Sequence, residues 1–372
     1  MDFSYDDEQV ALRDAVRGLV GKTYADHDHR RSVTAEDPGH DEQLWARMAE
    51  MGLLGLPFAE ADGGVGAGPV EIGIVCQELG RVAAPEPYLA AVVLAGGLVA
   101  ACGTDQQRAD VIGPLAEGEG RPALAHDEPA SPVTASQDGD AWTLSGTKEP
   151  VLHGGSASVL VVTAALPEGG TGAFLVDPAD ATVTAYPVYD GSRAARVDLD
   201  ATPATPLGEA GRDLSSSIAT VLDLGRVMAA NQALGAMRTA LSATTDYLKS
   251  RKQFGVTLNT FQDLTFRAAD MYVSLELTQS MVDWATMVVA TGDAEALADA
   301  ATRVGLQASR GGRHVGQEAI QLHGGIAMTA EYSVGSLVAQ LTLLDHLLGD
   351  GGVHLRRLAD RIDDHGLVEP LG

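Results

Sequence analysis

The chain has 372 residues, 45% of them hydrophobic, with 51 acidic against 25 basic residues and a formal net charge of −26. That length exceeds one typical domain and that apolar content excludes a disordered chain, so two or three packed units are expected. The acidic balance excludes general binding to nucleic acid or to anionic membranes, and a polyanionic ligand needs a local cationic site. Cys76 and Cys102 are the only cysteines. They form neither a metal-binding spacing nor a disulfide framework, which suits a reducing cytoplasm. The start of the chain, "MDFSYDDEQV", carries no apolar core of a secretion signal. The apolar run from Tyr88 to Gly103 contains glycines and is shorter than the ~20 residues of a membrane-spanning helix.

Residues 1–120 read as a helical domain. Ser4 is placed to cap a first helix whose inward stripe is Val10, Leu12, Val16 and Leu19. Leu44, Met48 and Met51 mark a second helix that stops at Gly52. "EADGGVGAG" (60–68) lacks a dinucleotide-binding spacing and reads as a turn. Residues 70–103 are helical again, interrupted at Pro85 and Pro87.

Residues 121–207 read as a β domain, because the helical period disappears and β-branched residues rise. Asp138-Gly139 suits a hairpin turn, after which Trp142 and Leu144 alternate inward. "SVLVVTA" (158–164), "AFLVD" (173–177), "TVTAYPV" (182–188) and "ARVDLD" (195–200) are further short strands.

Residues 208–372 return to helix with long apolar stripes. Val227, Leu234, Met237, Leu241 and Leu248 line one helix; Leu264, Ala268, Met271, Leu275 and Val282 line the next. Asp293 caps a third, with Leu297, Ala301, Val304 and Ala308 inward, and a fourth runs from about Ser333 to Leu348. Long helices joined by short loops predict an antiparallel four-helix bundle. No internal repeat is present.

One stretch departs from the acidic background. "KSRKQFGVTLNTFQDLTF" (249–266) holds two of the chain's four lysines, Arg251, and three of its six phenylalanines. Read plainly, it is a solvated loop between helices. Read for chemistry, arginine offers fixed, paired donors to phosphate oxygens, Phe254 an apolar face, and Gly255 a helix end with close backbone approach.

The order helices, β domain, helical bundle, together with four sequence patches, resembles the acyl-CoA dehydrogenase family over essentially the whole chain. "RKQFGVTLNTFQDLTFRAADM" (251–271) is similar to the family's Arg-x-x-Phe-Gly…Phe-Gln…Ala-Asp-Met run, and "QEAIQLHGGIAMTAEYSV" (317–334) to its Gln-x-x-Gly-Gly-x-Gly run. "LWARMAEMGLLGLPF" (44–58) and, more weakly, "GTKEPVLHGG" (146–155) complete the match. The resemblance implies FAD as cofactor. It places Arg251, Gln253, Phe254 and Gln262 on the flavin, with the arginine at the pyrophosphate of a neighbouring subunit. It also places Gln321, Gly324 and Gly325 at the adenosine end across the interface. The implied reaction is α,β-dehydrogenation of an acyl-CoA to the 2-enoyl-CoA, with an electron-transferring flavoprotein as acceptor, in fatty acid or steroid catabolism.

Where the family carries its catalytic glutamate, this chain does not. Of the two positions the resemblance offers, one is Lys252, beside Arg251, and the other, in a turn after the last bundle helix, is Leu348. A lysine beside the substrate is cationic unless strongly desolvated. Asp350 is the nearest carboxylate and the first candidate for a relocated base; Glu331 is a second, weaker candidate, since family members with the usual base also carry a glutamate there, which favours a structural role. The family's Thr-Glu-Pro-Gly-x-Gly-Ser loop is reduced to "DEPAS" (127–131), and its flavin-facing Trp and Thr are Pro150 and Leu152. Three readings follow. The chain is a dehydrogenase with a moved base, in a homo-oligomer. It is a structural subunit of a heterotetramer with a related chain, as among actinobacterial steroid-degrading members of the family. Or it is a flavin monooxygenase of the same fold.

Overall fold

The computed structural model of the chain describes residues 4–365. Helix α1 (Asp7–Thr23) is capped by Asp6 rather than Ser4: the Asp6 carboxylate accepts from the Gln9 N–H at 2.8 Å and the Gln9 side chain returns a bond to the Asp6 N–H. This reciprocal box satisfies two otherwise orphan donors, so the helix starts two residues after the expected place. Val16 and Val20 are its buried residues. Helices α2 (His27–Ala35) and α3 (Glu42–Glu50) follow, α3 ending before Gly52 at φ +73°. Helix α4 (Pro69–Arg81) is broken off before Pro85 and Pro87. The apolar run then forms a π-helical segment (Tyr88–Gly96) that continues into α5 (Gly97–Cys102) and is followed by α6 (Asp105–Ala116). The run is interior packing: among the described residues no helix is long and apolar enough to cross a membrane.

The middle of the chain is all strand. β1 (Pro122–Ala125), β2 (Thr134–Asp138), β3 (Ala141–Leu152), β4 (Val159–Ala165), β5 (Thr171–Val176), β6 (Thr182–Pro187) and β7 (Arg193–Pro206) make one sheet. The order β4-β2-β3-β7-β5 returns to β4, which closes a barrel, with β1 added beside β4 and β6 beside β7. The hairpin loop is Gly139-Asp140, one residue beyond the expected pair, because β2 extends to Asp138 and Gly139 supplies φ +58°. Trp142 and Phe174 meet at 5.5 Å in the barrel core, with Leu144, Val151, Leu160 and Val197.

The C-terminal part has α7 (Ser215–Ser250), α8 (Gln262–Val289), α9 (Ala294–His323), α10 (Val334–His346) and α11 (Gly351–Asp360). Three of these are long, at 36, 28 and 30 residues; α10 has 13, so the fourth bundle position is filled by a short helix that α11 extends. All five residues of the first predicted stripe are buried on α7, and Asp293 caps α9 as expected. The helical parts on either side of the barrel share one hydrophobic core. Their closest contact is α4 against α7. A β-carbon on Gly80 would lie 1.9 Å from the Gln232 carbonyl oxygen, and one on Gly235 would lie 1.9 Å from that of Gln77. Only glycine permits such an approach.

Candidate functional site

Helix α7 ends at Ser250 with Arg251 already extended, at φ −73° and ψ 128°. Lys252–Gln253 (β8) and Val256–Thr257 (β9) then pair as a small hairpin. Phe254 and Gly255 form its turn, both at positive φ (+53° and +83°), the pattern of a type I′ turn. Gly255 therefore turns a hairpin and does not end a helix, and no atom lies within 4 Å of where its β-carbon would be. The structure sets this arm out from the bundle: Phe254 is 92% exposed, edge-on to Phe261 at 6.3 Å, and Gln253 and Gln262 are exposed as well. Among the described residues, no ion pair or side-chain hydrogen bond engages Lys249, Arg251 or Lys252, whereas many of the chain's other arginines face a carboxylate.

The second predicted patch lies at the same end of the bundle. Helix α9 closes at Gly324 (φ +67°), so the helix-cap and ligand readings of Gly324-Gly325 are compatible. Gln321, Gly324 and Gly325 are exposed, and a β-carbon on either glycine would have open space. His323 joins the ends: its ring lies 4.6 Å from Tyr247 on α7 and 5.1 Å from Tyr332. Unpaired cations, an exposed aromatic and glycines without neighbours fit a dinucleotide diphosphate laid across this surface.

On the barrel, β3 carries Pro150 and Leu152, the two positions that the family resemblance sets against a flavin. Val151 points into the barrel core; Pro150 is exposed and Leu152 half-buried. Beneath them Lys148 is buried, its Nζ donating to Glu128 Oε1 at 2.5 Å, to the His126 carbonyl at 2.8 Å and to Thr163 Oγ1 at 3.1 Å. Burial, the largest single effect, works to raise Glu128, but the Lys148 bond, the Val133 N–H and the nearby charges of Lys148 and His126 together hold the carboxyl below its ordinary range. The shortened "DEPAS" loop is thus tied inward by its own glutamate.

The two positions offered for a base lie in different places. Lys252 is exposed on the hairpin. Leu348 sits at φ +62° after α10. Its side chain packs beside Leu94 and Gly225: a β-carbon on Gly225 would meet Leu348 Cδ1 at 2.9 Å and Leu94 Cδ2 at 2.4 Å. Asp350 caps α11, accepting from the Val353 N–H at 2.8 Å. That bond holds its carboxyl below the ordinary range. Glu331 is exposed in the turn before α10.

Beside Leu347 lies a cavity at the junction of all three parts of the chain. Glu86, Leu152, His153, Gln340, Leu344 and Leu347 are among its walls. Burial pushes Glu86 up to about 7, against a hydrogen bond from the Tyr24 hydroxyl that works to lower it. Burial likewise pushes His153 down to about 3 and its neighbour His40, whose ring is 5.9 Å away, down to about 4. None of these groups was expected from the sequence, although an acid between two prolines in an apolar run, "APEPYLAAVVLA", is a visible signal.

Residues 6–119 match the N-terminal domain, and residues 215–362 the C-terminal domain, of acyl-CoA dehydrogenases. A probable acyl-CoA dehydrogenase of Bacillus subtilis, YngJ, is 29% identical over 96% of this chain and 98% of its own length. The human mitochondrial short-chain specific acyl-CoA dehydrogenase is 30% identical over 77% of this chain and 74% of its own. Among solved structures, a chain of a variant of the Tcur3481-Tcur3483 steroid ACAD superposes with a TM-score of 0.88 at 32% identity, covering 96% of this chain and 98% of that one. A chain of the ChsE4-ChsE5 complex from Mycobacterium tuberculosis superposes at 0.90 and 25% identity, covering 99% and 100%.

Proposed function

Because the chain belongs to the acyl-CoA dehydrogenase family, we propose that it is one FAD-associated subunit of a cytoplasmic heterotetramer whose related partner chain supplies the catalytic carboxylate. The observation that carries this reading is Leu348, an apolar side chain packed against Leu94 and Gly225 where the family resemblance expects a glutamate. Asp350, the nearest alternative, has its carboxylate committed to the start of α11. The two multi-chain steroid and ChsE4-ChsE5 structures that this chain resembles support a mixed assembly.

Bound FAD supplies the hydride acceptor for dehydrogenation of an acyl-CoA. The chain's own part is binding. Arg251 would hold the pyrophosphate of a flavin shared with the neighbouring subunit, with Gln253, Phe254 and Gln262 as further contacts. Gln321, Gly324 and Gly325 take the adenosine end. Leu152 and Leu348 keep water from the reacting carbons, which raises the effect of every nearby charge. An electron-transferring flavoprotein reoxidises the complex.

The test is purification of the chain alone and with related chains encoded nearby, followed by the flavin spectrum and acyl-CoA oxidation. The expected result is little turnover alone and turnover on adding the partner. Robust turnover by the lone chain would overturn the shared-site reading.

A further inference from the structure

Three residues that line the junction cavity each carry a buried polar atom with no hydrogen-bond partner among the described residues: Glu86 Oε2, Gln340 Oε1 and His153 Nδ1. Their side chains come from three distant parts of the sequence and are 6%, 1% and 8% exposed. A buried polar group left without a partner is destabilising, and folded proteins hold few of them. Three such residues around one cavity is a concentration that asks for a ligand.

The groups are also held in place. Glu86 cannot turn away, because its Oε1 accepts from the Tyr24 hydroxyl and from the Asp41 N–H at 3.2 Å. Pro85 and Pro87 fix the backbone on both sides. His153 occupies φ +55° at the end of β3. Asp190, on the same wall, makes no such demand: its Oδ1 already accepts from the Ser192 N–H and hydroxyl.

The cavity leaves about 40 Å³, room for roughly two or three atoms the size of water oxygen. It reaches Leu152, which the family resemblance sets against the flavin, and Leu347, which precedes Leu348 in the chain. We propose that it is a polar subsite for the far end of the acyl group, and that this end carries a hydroxyl rather than plain hydrocarbon. Glu86 Oε2 or Gln340 Oε1 accepts the hydroxyl proton, and the imidazole of His153 donates to its oxygen. This rests on the acyl-CoA reading above.

The test uses the flavin-loaded complex as purified and measures dissociation constants by calorimetry, which needs no turnover. The probes are butanoyl-, hexanoyl- and octanoyl-CoA, each against its ω-hydroxy counterpart. At the length that reaches the cavity, the hydroxy form is expected to bind at least about tenfold more tightly, because a site built to bond a hydroxyl rejects the analogue that lacks one. Gln340→Leu should reduce that preference, and Glu86→Gln, which keeps the shape, gives the same reading if the first variant fails to fold. Equal binding of both members of every pair overturns the subsite and leaves the acyl-CoA reading intact; the cavity is then a site for buried water only. A preference that survives both variants overturns it too. Failure of every CoA thioester to bind a flavin-loaded complex overturns the acyl-CoA reading along with the subsite.

Discussion

Arg226 donates from Nε to the carbonyl oxygen of Leu348 at 2.8 Å, while its Nη1 donates to Asp223 at 2.5 Å. The arginine is itself half-buried on α7, so it anchors the turn after α10 to the centre of the bundle. The Leu348 side chain is thereby directed at Leu94 and Gly225, in a left-handed conformation that a non-glycine residue adopts only when its surroundings impose it.

Leu348→Glu should therefore put a carboxylate where the shared-site reading says one is missing. A positioned general base contributes ~10²–10⁴-fold, and a gain in acyl-CoA turnover of that order by the flavin-loaded lone chain is expected. No gain in a variant that folds and keeps its flavin would show that the missing carboxylate is not what limits the lone chain.

Asp350 should behave as a cap. Asp350→Asn keeps a side-chain acceptor and should change neither turnover nor melting temperature much, whereas Asp350→Ala should cost about 1 kcal/mol of stability. A large fall in turnover for Asp350→Asn, with flavin retained, would make it a base after all.

Arg251→Ala should lower flavin retention by about tenfold or more, since a hydrogen bond to a charged group contributes about 1.5–3 kcal/mol. Arg251→Lys should recover only part of it, because the paired geometry is lost. Lys249→Ala should matter little. Equal loss of yellow colour in Lys249→Ala and Arg251→Ala would mean that bulk charge, not paired bonding, holds the cofactor.

Helix α8 presents Phe266, Val273 and Leu277, each more than half exposed, on one face beyond the hairpin. An apolar stripe of that kind marks an association surface. Leu277→Arg should shift the assembly toward smaller species in light scattering coupled to size exclusion, without lowering helix content. An unchanged mass would move the interface elsewhere.

Acid should loosen the junction between α3 and the barrel. Burial first, and nearby Arg121 among the lesser causes, depresses the folded pKa of His40 to about 4 and of His153 to about 3. Groups depressed in this way stabilise the fold above their unfolded pKa, near 6.5, and that contribution is lost as pH falls towards their folded values. Glu86 runs the opposite way: its raised pKa means stability declines as pH climbs from the ordinary carboxyl range to about 7. His40→Phe removes two buried ring nitrogens that have no hydrogen-bond partner among the described residues and should flatten the acid limb of a melting-temperature profile. A profile that keeps its slope below pH 6 would assign that limb to other groups.

The strands were legible because their side chains alternate, and the bundle because its stripes repeat at the helical period; Val227 to Leu248 is an instance where every expected residue is buried. The cation cluster stood out against the acidic background, and the structure leaves it unpaired. Asp350 could have been read as a cap, since it directly precedes the helical "GGVHLRRLAD". The junction cavity could not be assembled in advance. Glu86, His153 and Gln340 belong to three segments far apart in the sequence, and nothing in local spacing joins them. Nor does spacing reveal that Gly225, an ordinary glycine in a helix, is the floor on which Leu348 rests.

The reciprocal glycine contact between α4 and α7 has a mechanical meaning. With Gly80 against the Gln232 backbone and Gly235 against that of Gln77, the two helices are keyed at two points and can neither slide nor roll past each other. The flanking helical parts therefore behave as one chassis. The barrel is joined to that chassis by two strips of chain, residues 117–121 and 207–214, and by side-chain bonds such as those of Arg193 to Asp37 and to the Thr34 carbonyl.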